Sequence, residues 1–202
     1  MKKLTLYVSI LLLSAFTVQQ PALTRDDKSF LLDQLQTAHD RLVNDVSGLS
    51  DAQMNFKSAP NRWSISECME HIIKAEKNMF DQEQEAVKKP ADPEKRQGIK
   101  LTDTALLRML ADRSHKAKAP EALVPQGLYS TASAAVDAFN AQHTQVIDYV
   151  KNTNDDLRNH VIASPIGTMD TYQLLLLLAG HTTRHTMQIE EVMADPAFPK
   201  SN

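Results

Sequence analysis

The chain lacks many of the residues from which familiar sites are built. Among its 202 residues there is one cysteine, Cys68, so no intramolecular disulfide can form. The same count excludes every zinc site that needs two or more thiolates. Five glycines leave little for phosphate-gripping loops, and none lies in a G-x-G-x-x-G or Walker A pattern. No segment alternates apolar and polar residues for long, so nothing announces a sheet-based core. Basic residues do not dominate either: 22 Lys and Arg face 25 Asp and Glu, for a net charge of −3. Without a basic stripe, nucleic acid is not an expected partner. What remains is ordinary for one folded soluble domain, 42% hydrophobic and 23% charged, with seven histidines. Any site must be made from histidines, carboxylates or amides.

The first 22 residues read as a segment apart. Met1, Lys2 and Lys3 form a basic start, and Leu4 to Val18 is an apolar run broken only by Thr5, Ser9, Ser14 and Thr17. Such a run is short for a membrane span and has no charged stop behind it, which is the pattern of a secretory signal peptide. No cysteine follows it, so a lipoprotein anchor is not expected. An uncleaved membrane anchor is the alternative reading. The expectation is an exported protein, periplasmic or extracellular, with no stable membrane insertion after cleavage and a domain over residues 23–202.

Proline positions divide that domain, because proline breaks helix interiors. Over residues 26–46, Leu31, Leu35, Ala38, Leu42 and Val46 form one stripe, with Thr24 placed as N-cap and Gly48 as a stop. Ser64 and Glu67 have the spacing of a capping box and start a second helix that fades before Pro90. A shorter helix is expected over 102–118, and long ones over 132–152 and 170–193. In the last, five leucines from Leu174 to Leu178 make the helix apolar all round, so it should sit centrally. The reading is all-α: a four-helix bundle with one additional short helix.

His181 and His185 stand one turn apart in H-T-T-R-H. At that spacing two imidazoles can grip one metal ion. Stepping back from His181 reaches Leu178 and Leu174, and stepping forward from His185 reaches Gln188 and Val192, so the pair continues an inward stripe. Gly180, just before it, permits a close neighbour. Buried imidazoles need partners, which a metal would supply. Spacing leaves the third ligand open between His71 and His143, with His39 less inward.

Two runs then resemble a known family. Ala59 to Glu76, A-P-N-R-W-S-I-S-E-C-M-E-H-I-I-K-A-E, is similar to the second-helix motif of the DinB-like superfamily. Ala179 to Val192, A-G-H-T-T-R-H-T-M-Q-I-E-E-V, is similar to its last-helix motif. The resemblance extends over roughly residues 27–195. It implies a four-helix bundle whose divalent metal, zinc, nickel or iron, is bound by His71, His181 and His185. Three neutral nitrogens leave open positions, the arrangement of a catalytic centre rather than a closed structural one. Relatives include thiol-dependent S-transferases and a maleylpyruvate isomerase. The expectation is a metal-dependent hydrolase or transferase acting on a small molecule. Export from the cytosolic thiols lowers the thiol-transferase reading in favour of a hydrolase or a metal-binding module. The alternative is a non-catalytic metal-binding or structural bundle. DinB-like bundles often dimerise, so a homodimer is also implied, although no residue pattern marks its interface.

Other residues have plainer expected roles. Glu67 belongs to its capping box, and Cys68 is a small buried thiol beside a ligand. Trp63 staples the start of the second helix into the core. Arg184 pairs with a carboxylate such as Glu191, and Tyr172 packs. Gln188 either bonds a ligand or packs between helices. His39, His115, His143 and His160 are surface or core residues, with His160 the one to examine for nearness to a pocket.

Overall fold

The caps read from the sequence set the helix starts in the computed structural model, which describes residues 23–114 and 118–200. The segment expected to be a signal peptide lies outside them, as does His115. Helix α1 spans Arg25–Val46, with the Thr24 hydroxyl accepting the Asp27 amide and Gly48 at φ +82° beyond its end. A one-turn helix α2, Asp51–Met54, leads to α3, Ile65–Val87, whose Ser64–Glu67 capping box is complete in both directions. Helix α4 spans Asp103–Ala111, α5 Ala132–Asn152 and α6 Thr171–Met193, the last capped by Asp170.

Two features differ from expectation. Helix α4 stops at Ala111, short of residue 118, because Asp112 is extended and its carboxylate takes the Ser114 amide. A local side-chain bond of this kind competes with helix continuation. Between α5 and α6, β1 (Val161–Ser164) and β2 (Gly167–Asp170) pair antiparallel around a two-residue turn at Pro165 and Ile166. Gly167 sits at φ +122°, where a side chain would be strained. Four residues are too few for period-two alternation to register, so no strand was expected here.

Helices α1, α6, α3 and α5 form the closed bundle, each touching the next, and α4 lies on the outside of α6. Leu174, Leu175, Leu176 and Leu178 are all buried, in keeping with the central place of α6. At Gly180 an added Cβ would stand 2.5 Å from Leu110 Cδ1, so this glycine lets α4 settle against α6. The core has two apolar clusters: one around Leu35, Leu106, Val150 and Leu175, the other around Leu42, Ile65, Ile72, Phe139 and Ile189. Along each long helix a polar level falls between them. His39, Glu76, His143, Thr182 and Thr186 occupy it, and on α6 His181 and His185 fall in the same interval. No helix among the described residues is long and apolar enough to cross a membrane.

Candidate metal centre

His71 comes from the second turn of α3, and His181 and His185 come from successive turns of α6. Packing α3 against α6 brings the three rings together, with centroids 5.0, 4.5 and 4.5 Å apart. One nitrogen from each lies within 4.8 Å of the other two, and His71 Nε2 is 3.2 Å from His181 Nε2. No carboxylate or thiol completes the cluster among the described residues. His143, the other candidate, goes elsewhere: its Nδ1 faces the buried Glu76 carboxylate at 3.0 Å, and its ring stacks on His39.

The protons of the triad are set by its surroundings. His71 Nδ1 lies 2.9 Å from the Leu123 carbonyl, which can only accept, so Nδ1 carries the hydrogen and Nε2 presents its lone pair. His185 Nδ1 faces Gln188 Oε1 at 3.0 Å, which orients that ring in the same way. Burial keeps all three uncharged. It depresses His71 against the opposing pull of the Leu123 bond. It takes His181 down to about 3, helped by His71 and Arg184, and His185 to about 2, helped by His181 and His71. Neutral imidazoles with converging lone pairs are the form that ligates a metal, and this donor set fits a divalent ion such as zinc, nickel or iron(II).

Residues flanking His71 on α3 hold the loop that orients it. Glu70 is 1% exposed, and its carboxylate accepts the amides of Gln126, Gly127 and Leu128 at 2.7, 2.8 and 2.9 Å. Lys74 bridges the same carboxylate at 2.8 Å and donates to the Val124 carbonyl. Burial alone would raise the Glu70 pKa, but Lys74 and the three amides outweigh it and hold the carboxyl below its usual range. This clamp was not read from the sequence. A glutamate next to a ligand histidine was its only signal.

The remaining expectations divide. Glu67 is occupied by its capping box and by Lys57 at 2.7 Å. Cys68 is buried and stays outside the cluster, its thiol pushed up to about 12 chiefly by burial, which makes it inert. Arg113 makes the two-pronged pair with Glu191, while Arg184 donates to the carbonyls of Leu110 and Asp112. Tyr172 is fully buried under the Arg158 guanidinium and donates to the Asp27 carbonyl. Trp63 does more than staple a helix: its ring centroid is 4.8 Å from that of His71 and 6.1 Å from that of His185.

Two cavities lie away from the triad. One of about 550 Å³ surrounds Arg158, whose guanidinium is held by Asp27, Asp103 and Asp170, so its charges answer one another. The other, about 650 Å³, runs between α3 and β1 and includes His160, which bonds the Ala86 carbonyl. Neither is lined by a triad histidine, so His160 is not part of the candidate centre.

A four-helix bundle with three histidines converging from two of its helices defines the class. The chain belongs to the DinB superfamily, whose sequence model matches residues 34–189. It is 25% identical over 150 residues to the uncharacterized protein YuaE of Bacillus subtilis strain 168, covering 74% of this chain and 88% of that one. Its fold is similar to that of YfiT from Bacillus subtilis, with a TM-score of 0.57 at 12% identity over 86% of this chain and 90% of the other. YfiT is described as a probable metal-dependent hydrolase with an unusual four-helix bundle topology.

Proposed function

We propose that the chain binds one divalent metal through His71, His181 and His185 and acts as a metal-dependent hydrolase on a small molecule. The observation that carries this reading is the convergence of three uncharged imidazoles, two of them fixed by outer hydrogen bonds with their lone pairs toward the centre. The description of YfiT agrees with it. An ion held by three neutral nitrogens supplies Lewis acidity at its open positions and acidifies water there.

The chain contributes the rest. Leu123 and Gln188 hold the two ring tautomers, and Glu70 with Lys74 fixes the loop that carries Leu123. Trp63 covers the His71–His185 side. Among the described residues no carboxylate joins the three histidines in the cluster. The basic-then-apolar N-terminal segment supports export, which favours hydrolysis over transfer from a cytosolic thiol.

The test is turnover of a panel of small esters, amides and lactones by protein loaded with zinc, nickel or iron(II). Hydrolysis that disappears on chelation, returns with the ion and is absent in His185→Ala supports the proposal. An active panel member that is indifferent to chelation refutes it. Stoichiometric metal with no turnover across the panel leaves a metal-binding bundle and removes the hydrolase.

A further inference from the structure

Strand β1 leaves one edge unpaired. The Thr171 amide donates to the His160 carbonyl at 2.9 Å, one step before the Val161–Asp170 pair. Hydrogen-bonded and non-hydrogen-bonded pairs alternate along an antiparallel ladder. Ile162 and Ser164 therefore bond β2, while Val161 and Ala163 turn their amides and carbonyls away from it. Among the described residues no partner takes up these four groups. The preceding outward position is already taken. The Asn159 carbonyl accepts the Asp92 amide at 2.8 Å, before Pro93 turns the chain into a short 3₁₀ helix, Pro93–Gly98. The chain thus lays one residue of a third strand along this edge and then leaves it.

The edge beyond that point borders a cavity. Val161, Ile162 and Ala163 line the space of about 650 Å³ on one side, and Gln82, Glu85 and Ala86 of α3 line it on the other. That volume is typical of a ligand site. The two outward residues are about 7 Å apart, so three residues of extended chain reach all four free groups. The α3 wall leaves width for a single strand rather than for the whole hairpin of a second copy.

Charge on the walls selects the kind of strand. Each acid lining the cavity has its own lysine: Asp81 pairs with Lys77 at 2.7 Å, Glu85 with Lys88 at 2.6 Å and Asp92 with Lys95 at 2.7 Å. Lys89 also lines the cavity and has no anionic partner among the described residues. His160 points its Nδ1 hydrogen at the Ala86 carbonyl, 3.1 Å away, which leaves the Nε2 lone pair for a donor. The unanswered charge is positive.

We propose that the free edge of β1 is a docking site for an acidic, extended segment of a partner protein. The segment adds as a strand to Val161 and Ala163 and sets a carboxylate at Lys89. Neither the edge nor the cavity involves the histidine triad, so this surface is independent of metal.

The test uses the full chain and a labelled pentapeptide that alternates valine and glutamate, acetylated and amidated at its ends. A twin methylated at every backbone nitrogen and a twin with lysine for glutamate serve as controls. Each edge bond is worth a factor of about 2 to 10, so the methylated twin should bind at least about 10-fold more weakly. The lysine twin should also bind more weakly, and Lys89→Ala should weaken the acidic peptide about 2- to 5-fold. In hydrogen exchange the Val161 and Ala163 amides should be fast in the free protein and slow with the acidic peptide, while Ile162 stays protected throughout. Equal binding of the methylated or the lysine twin, or no binding at millimolar peptide, overturns the proposal. Protection of Val161 and Ala163 that grows with protein concentration alone assigns the edge to a second copy and overturns it as well.

Discussion

Replacing Glu70 tests how far the protein spends structure on holding one ligand. The wild-type carboxylate accepts three backbone amides of the 126–128 segment and the Lys74 ammonium, all between 2.7 and 2.9 Å, while almost fully buried. Bonds to a charged acceptor contribute about 1.5–3 kcal/mol each, and partners left unsatisfied incur most of that loss. In Glu70→Ala the loop amides can turn to water, which makes the individual bond losses non-additive, so the expected loss is that of breaking one buried charge pair, about 4 kcal/mol. Glu70→Gln keeps one acceptor but turns an NH₂ toward backbone donors, for about 2 kcal/mol. The folded carboxyl titrates below its unfolded value of 4.5, so its contribution is present above that pH and is lost as pH falls through the folded pKa.

Urea denaturation at pH 7 measures the stability, and native-state hydrogen exchange at residues 126–128 localises it. Both variants should lose protection there, because the loop is released. A Glu70→Gln change below about 0.5 kcal/mol, with the three amides exchanging as in wild type, would refute the clamp. Release of the loop also frees the Leu123 carbonyl from His71, so metal affinity should fall about tenfold in parallel.

Other groups give separable outcomes. Tyr149 has one phenolic proton yet lies 2.8 Å from both Glu83 and Asp155, so one of the two carboxyls donates, and burial, which raises Glu83 to about 7, favours Glu83 as that donor. A folded pKa above the unfolded 4.5 means that this contact stabilises fully below pH 4.5 and is lost as pH rises through 7. Glu83→Gln, which keeps a donor toward Tyr149, should therefore gain on the order of 2 kcal/mol over wild type at pH 8.5 relative to pH 5 in urea melts. A difference that is the same at both pH values would contradict the assignment. Gln188→Leu removes the acceptor that orients His185, and metal affinity measured by calorimetry should drop about 10- to 100-fold with little change in melting temperature. An unchanged affinity would reduce Gln188 to packing.

How much of this was legible in the sequence depends on the range of each interaction. The Thr24 cap and the Ser64–Glu67 box act within one turn, so their residues alone specify them. The stripe from Leu31 to Val46 needs only helical periodicity, and all five of its residues are buried. The pairing of His181 with His185 is also local. Which third histidine joins them depends on the rotation of α3 against α6, and periodicity left His71 and His143 equal. The family motif separated them. His143 had a partner that the spacing did not point to, Glu76 on the neighbouring helix. The Glu70 clamp joins residues 56 to 58 positions apart, and the Trp63 contact with His185 joins the entry of α3 to α6, so neither had a local signature. Arg113, just past the end of α4, makes the pair with Glu191 that was expected of Arg184.

The central claim is that three histidines from α3 and α6 hold one divalent ion, and calorimetric titration of metal-free protein with Zn²⁺ tests it most directly. Wild type should bind one ion per chain, releasing few protons because the imidazoles are already neutral. His181→Ala, folded by circular dichroism, should bind at least about 100-fold more weakly. Saturable one-to-one binding of equal affinity in both proteins, or none in wild type, would contradict the account.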